Sequence, residues 1–201
     1  TPEDAQTLDD VAVEFVSAAV DKNKKDTVTY AYQWMVDGSP TGETDRILPA
    51  TRTKKNQVWT VVVTPSDDKE RGEAASAEIT IQNTPPVVSP SVEPSAPKTT
   101  DNVQVFANDS DDDFDRVDVS YSWTRDGAPV SLDTFVLRAS DTQKGQVWEV
   151  TVTPTDDEEA GESKTLSITI GNTPPVFEAA KIRPTLVNRG DVISCLGEGW
   201  F

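Results

Sequence analysis

The chain has no histidine, one cysteine and one methionine among its 201 residues. Without histidine there is no His-based triad and no imidazole general base. No glycine-rich phosphate loop is present. No apolar stretch approaches the ~20 residues that a membrane span requires. Positive charge is also scarce: 18 Lys and Arg stand against 35 Asp and Glu, for a net charge of −17. That balance repels nucleic acid and anionic membranes, favours solubility and invites cations. No signal peptide is visible, which says nothing about secretion, because an internal fragment would not carry one.

What the chain does have is itself, twice. Tyr32-Gln33-Trp34 with Asp37-Gly38 returns as Tyr121-Ser122-Trp123 with Asp126-Gly127. Gln57-Val58-Trp59 returns as Gln146-Val147-Trp148, Thr64-Pro65-Ser66-Asp67-Asp68 as Thr153-Pro154-Thr155-Asp156-Asp157, and Asn83-Thr84-Pro85-Pro86 as Asn172-Thr173-Pro174-Pro175. Every pair is 89 residues apart. One unit of that length buries one modest core, so a modular array is expected. Pro184, Asp191, Ile193 and Cys195 match Pro94, Asp101, Val103 and Val105, and also Pro2, Asp10, Val11 and Val13 with a one-residue slip. The expected organisation is a first repeat over 1–84, truncated at its start, a second over 85–173, and the beginning of a truncated third over 174–201.

Helical periodicity is nearly absent and period-two alternation is clear. Val117, Val119, Tyr121 and Trp123 alternate with polar residues, as do Trp148, Val150 and Val152. Such stretches are half-buried antiparallel strands, punctuated by Asp-Gly, Pro and Asp/Ser clusters. In the second repeat, strands are predicted over 87–92, 102–107, 116–125, 135–139, 147–153 and 164–170. That count and size fit an all-β, two-sheet sandwich of Greek-key type. Trp34, Trp59, Trp123 and Trp148 fall on core positions, where an indole removes more apolar surface from water than a disulfide would. Asn-Thr-Pro-Pro is the linker, since two prolines fix φ and give a short, stiff joint.

These motifs resemble the tandem immunoglobulin-like repeats, cadherin-like or PKD-like, of large bacterial surface and secreted proteins. The residues that carry the resemblance are the linker 83–87, the acidic loop 109–113, Tyr121-Ser122-Trp123 and the strand end 151–157. The resemblance covers essentially the whole chain. It implies tandem immunoglobulin-like sandwiches acting as extracellular stalks, spacers or adhesive modules at a cell surface, sometimes stiffened by calcium. Their partners would be neighbouring repeats, with other surface proteins or glycans beyond them. The Asp-x-Asn-Asp-Asn linker of true cadherins is missing, so a cadherin linker site does not carry over. The immunoglobulin comparison also implies a disulfide partner for Cys195 beyond Phe201, whereas the residue by itself reads equally as a buried free thiol.

The acidic loop Asn108-Asp109-Ser110-Asp111-Asp112-Asp113, with Asp115 close behind, is the strongest candidate site. Asp109, Asp111 and Asp113 alternate so that one turn can aim several carboxylates inward, and Ca²⁺ takes about 6–8 oxygens. Phe114 stands where an EF-hand needs glycine, which excludes that motif. The loop with Asp156 and Asp157 should reach the same tip, and two acidic loops there would repel without a cation. The expected metal ligands are therefore Asp109, Asp111, Asp113, Asp156 and Asp157. A solvated acidic face with no ion is the alternative. So is a contact with the basic loop Arg52-Thr53-Lys54-Lys55 of the first repeat. In the first repeat, Asp21, Asp26, Asp67 and Asp68 occupy matching places, with Lys22, Lys24 and Lys25 among them. Arg189-Gly190-Asp191 spells the integrin tripeptide, and Asn108-Asp109-Ser110 is a glycosylation sequon.

The carboxylates lie in repeated turns rather than as one pair across a cleft, so no glycosidase is expected and the array reads as non-catalytic. Two further readings are a carbohydrate-binding accessory module, which needs exposed aromatics on a sheet face, and a phage or filament decoration module.

Overall fold

The structure, a computed structural model, describes residues 4–22, 26–67 and 69–177, together with 182–183, 189–190 and 194–195. Pro2, Asn23, Lys24, Lys25, Asp68, Pro184, Asp191, Ile193 and Trp200 lie outside the described residues, and so does the Cys195 side chain.

Two Greek-key sandwiches are built on the same plan. The first uses β1 (Val11–Ala12), β2 (Thr29–Val36), β3 (Ser39–Pro40), β4 (Ile47–Leu48), β5 (Val58–Ser66) and β6 (Ala75–Thr80). One sheet has the order β3-β2-β5-β6 and faces the pair β1-β4. The second uses β7 (Val87–Val88), β8 (Ser91–Glu93), β9 (Val103–Phe106), β10 (Asp109–Ser110), β11 (Asp118–Arg125), β12 (Ala128–Val130), β13 (Val136–Leu137), β14 (Val147–Thr155) and β15 (Lys164–Thr169). Its sheets are β12-β11-β14-β15 and β13-β9-β8, with β10 paired to β7 at one end. A last pair, β16 (Ile182–Arg183) and β17 (Ser194–Cys195), aligns Ile182 with Cys195.

The registers repeat because the alternation repeats. Trp34 faces Val61 across β2 and β5, and Trp123 faces Val150 across β11 and β14. A one-residue slip would turn each indole to solvent. The hairpin after each tyrosine-tryptophan strand is set by Asp-Gly. Asp37 and Gly38 have φ of 48° and 77°, and Asp126 and Gly127 have 51° and 80°. Two consecutive positive φ values are the I′ turn that matches strand twist. The Asp37 and Asp126 carboxylates then accept the backbone N–H of Val58 and Val147, both at 2.9 Å, which ties the turn to the next long strand.

Each sandwich has its own core, and the two share no residue. Trp34 and Trp59 meet edge to face at 6.4 Å, and Trp123 and Trp148 at 6.2 Å. That geometry suits the ring quadrupole. Buried indole N–H groups need acceptors, and they find them at matching places. Trp34 donates to the Asp45 carbonyl and Trp123 to the Thr134 carbonyl, both at 2.9 Å. All four core tryptophans expected from the alternation are buried.

Two details differ from the sequence reading. The strand expected over 87–92 is two strands, β7 and β8, broken at Ser89-Pro90. Proline cannot donate to a ladder, and Asn108, at φ 49°, bends the facing strand at the same point. The short edge strands β3 and β12 were not foreseen, because they are only the return arms of the Asp-Gly hairpins.

Trp123→Ala should destabilise the protein by about 3–5 kcal/mol, as large-to-small core changes do. Trp34→Ala should cost a similar amount. Because the cores share no residue, the double variant should be additive within ~0.5 kcal/mol in urea unfolding.

Candidate functional site: an acidic tip closed by a lysine

The loop after β10 is organised by Asp111. One of its carboxylate oxygens accepts the backbone N–H of Asp113 at 2.8 Å and of Asp115 at 3.1 Å. This local side-chain-to-backbone turn carries Phe114 through φ 64° and leaves its ring in solvent. The loop after β14 is organised the same way by Asp156, which accepts the N–H of Glu158 at 2.7 Å and of Glu159 at 2.6 Å.

Both loops are bound to the incoming chain. Asp113 accepts the backbone N–H of Thr84 at 2.7 Å on one oxygen and the Thr7 hydroxyl on the other. The Asn83 amide donates to Asp156 at 2.9 Å and to Glu159 at 3.1 Å, and Asn83 is only 7% exposed. Gly161 lies so close beneath the linker that a Cβ there would sit 1.7 Å from the Pro86 carbonyl oxygen. Pro86 is fully buried.

Lys55 of the first sandwich closes the tip. Its ammonium contacts Asp115 and reaches Glu158 at 2.7 Å, and its side chain is 18% exposed. The hydrogen bonds to Asp115 and then Glu158 raise its pKa well above the usual lysine value, against a smaller effect of desolvation. Desolvation opposes ionisation of Asp156. The Asn83 amide and the N–H groups of Glu159 and Glu158 together outweigh it and hold the carboxyl below the usual range.

Of the expected ligands, Asp111 and Asp113 come together with Asp115, their carboxylate oxygens all within 4.8 Å of one another. Asp109 lies exposed in β10 opposite Val88. Asp156 is occupied with Asn83, and Asp157 is exposed. Neither Asp109 nor these two belongs to the carboxylate group, among the described residues. A second group, Asp21, Asp26 and Asp67, forms at the matching tip of the first sandwich. Two buried oxygens at the joint, one on Asp111 and the amide oxygen of Asn83, have no hydrogen-bond partner.

Of the basic loop, Lys55 makes the contact, while Lys54 is exposed and Arg52 pairs with Glu43 at 3.0 Å. The sequon nitrogen of Asn108 is engaged, donating to the Ser89 carbonyl at 2.9 Å. Arg189 and Gly190 lie in an exposed turn. The sequence reading missed Asn83, Thr84 and Glu158 as contact residues. Asn-Thr-Pro-Pro was read only as a spacer, although an asparagine ahead of two prolines is a polar side chain that the spacer role does not require.

No protein-family model and no curated protein sequence matches the chain. Similar solved structures include the chicken CNTN1 FN1-FN3 domains, 11% identical over 82% of this chain and 64% of that one, with a TM-score of 0.37. The N-terminal four Ig domains of Dscam1 isoform 6.9 are 15% identical over 73% of this chain and 38% of theirs, with a TM-score of 0.35. Murine CEACAM1b is 12% identical over 71% of this chain and 85% of its own, with a TM-score of 0.27. The chain thus spans less than two thirds of the first two. Strand order and the paired-tryptophan cores, rather than these likenesses, define the class: an all-β, immunoglobulin-like Greek-key sandwich.

Lys55→Met should broaden the angle between the sandwiches in small-angle scattering while changing stability by no more than ~1 kcal/mol, because the pairs are partly solvated. The pH window follows from the shifts. Lys55, raised when folded, stabilises fully below the unfolded value of about 10.4, and its contribution is lost as pH rises through the folded value. Asp156, lowered when folded, stabilises above about 3.9 and loses its effect as pH falls through the folded value. The joint angle should therefore be constant between about pH 5 and 9 and loosen in acid below about 4.

Proposed function

We propose that the chain is part of a non-catalytic structural or adhesive array, a stalk or spacer of a bacterial cell-surface or secreted protein. The observation that carries this reading is the joint. Lys55, Asn83 and Thr84 each reach across to the acidic tip of the second sandwich. A linker that is hydrogen-bonded and proline-stiffened sets an angle between modules, which is what a stalk needs and a flexible tether does not. The module bounds are 1–84, 85–173 and 174–201. The natural partners are neighbouring repeats, and the rod would display its ends or faces to other surface proteins or glycans.

Calcium is the second part of the proposal. Asp111, Asp113 and Asp115 offer only oxygen donors, and the unpartnered buried oxygen of Asp111 is a place where a cation would relieve an uncompensated charge. These residues fit Ca²⁺ in donor chemistry. The ion would share Asp115 with the Lys55 ammonium and hold the tip against the linker. The carbohydrate-binding alternative needs a flat exposed tryptophan, and the buried state of Trp34, Trp59, Trp123 and Trp148 does not favour it.

Calorimetric titration of EDTA-stripped protein with Ca²⁺ should give heat saturating near one site per chain and a raised melting temperature, both lost in Asp111→Asn. No heat up to millimolar Ca²⁺ would leave Lys55 as the cation of the joint. A rod should also show a narrow, extended scattering profile, and a broad distribution of angles would sink the stalk reading.

A further inference from the structure

Two side-chain oxygens at the joint are buried and accept no hydrogen bond: one carboxylate oxygen of Asp111 and the amide oxygen of Asn83. A buried acceptor without a partner is costly, the more so when it is charged. Turning the Asn83 amide over would not relieve it. The amide nitrogen donates to Asp156 at 2.9 Å and to Glu159 at 3.1 Å, so exchanging the two ends would set an acceptor against two carboxylates. The oxygen is therefore the fixed, free end of a side chain that is only 7% exposed.

Both oxygens belong to residues tied to one carboxylate group. Asp111 is a member of it, with Asp113 and Asp115. Asn83 is joined to it through the next residue, because the Thr84 N–H donates to Asp113 at 2.7 Å. Residues 83 and 84 thus span the two acidic loops, with the amide nitrogen on the turn of Asp156 and the following N–H on the loop of Asp111. The nearby donors are already committed. The backbone N–H groups of Asp113 and Asp115 go to the other oxygen of Asp111, and the Lys55 ammonium goes to Asp115 and Glu158. A cation accepts lone pairs where donors are missing, and one cation answers both oxygens.

We propose that the amide oxygen of Asn83 is a ligand of the cation held by Asp111, Asp113 and Asp115, so that the linker completes the site. This rests on the calcium reading and adds to it the ligand that couples the ion to the joint. Ca²⁺ takes about 6–8 oxygens in flexible geometry and accepts Asn side-chain carbonyls beside carboxylates, whereas Mg²⁺ demands a near-ideal octahedron and gives up its waters reluctantly. Ion binding and linker seating then form one equilibrium. An ion that needs Asn83 in place favours the seated linker, and by linkage whatever lifts the linker weakens the ion by the same factor. Gly161 gives a handle on that equilibrium without touching any ligand. A Cβ there would sit 1.7 Å from the Pro86 carbonyl oxygen, so the linker must rise to admit it.

Calorimetric titration of the full chain and its variants with Ca²⁺ tests this. Asn83→Ala should weaken binding at least about tenfold, which is 1.4 kcal/mol. Gly161→Ala removes no ligand and should weaken it too. Asn83→Asp keeps an oxygen and loses the donors to Asp156 and Glu159, so it should bind Ca²⁺ more tightly than Asn83→Ala does. A residue that only held Asp156 in place would show no such rescue. The waters on a bound Tb³⁺ ion, counted from luminescence lifetimes in H₂O and D₂O, should rise by about one in Asn83→Ala, because solvent replaces the lost oxygen. No binding by the native chain would overturn the calcium reading and this inference together. Native affinity and hydration in Asn83→Ala, or an Asn83→Asp variant as impaired as Asn83→Ala, would overturn this inference and leave the calcium reading standing.

Discussion

The joint depends on the seating of four residues, Asn83 to Pro86, on a turn that leaves room only for glycine. Proline at 85 and 86 removes two backbone donors from the crossing. The donor that remains ahead of them, the Thr84 N–H, is taken by Asp113, and the Asn83 amide is taken by Asp156 and Glu159. The donors that cross the joint, the Thr84 N–H, the Asn83 amide N–H, the Thr7 hydroxyl and the Lys55 ammonium, therefore end on carboxylates. The acidic loops are held open in the right shape by their own backbone, through Asp111 and Asp156, before any partner arrives. The arrangement is a rigid negative cup into which a neutral, donor-rich strand and one ammonium fit.

Such a cup has an electrostatic cost that must be met by something positive. Asp111, Asp113, Asp115 and Glu158 sit at one tip, and like charges a few ångströms apart repel. Lys55 supplies one positive charge at the edge of the group, on Asp115 and Glu158. Asp111 and Asp113 are left to amide and hydroxyl donors, and one oxygen of Asp111 has none. The first sandwich solves the matching problem differently. It replaces acidic positions with lysines, and Lys69 pairs with Asp26 within the same sandwich. The two tips thus diverged in where their countercharge comes from: across the joint in one, from within the sandwich in the other.

The fold was legible because it rests on local signals that the sequence states outright. Period-two alternation placed the long strands, and tryptophans at matching phase placed both cores. Asp-Gly marked the hairpins, whose backbone at Asp37, Gly38, Asp126 and Gly127 is the left-handed pair that those residues favour. The site was legible only in part. That Asp111 and Asp113 share a loop is a matter of spacing, and that a basic loop faces them follows from the ends of the sandwich at which the loops lie. That Asp115 rather than Asp109 completes the group depends on β10 being held straight against β7, a pairing made by the linker. Asn83 was missed for the same reason. Its role is a tertiary contact 73 residues away along the chain, and no local pattern announces such a partner.

A repeated module carries its interfaces with it. Copying the unit copies both the turn that receives a linker and the linker that fills one, so a chain of such units always presents a receiver at one end of each sandwich and a donor at the other. Within the chain the linker is covalently delivered to its seat, and its effective concentration is high enough that modest hydrogen bonds suffice. The two turns share one closing bond, from Gly72 to the Pro65 carbonyl and from Gly161 to the Pro154 carbonyl. What separates the two tips is then their charge: Lys69 stands where Glu158 stands, and it pairs with Asp26 within its own sandwich.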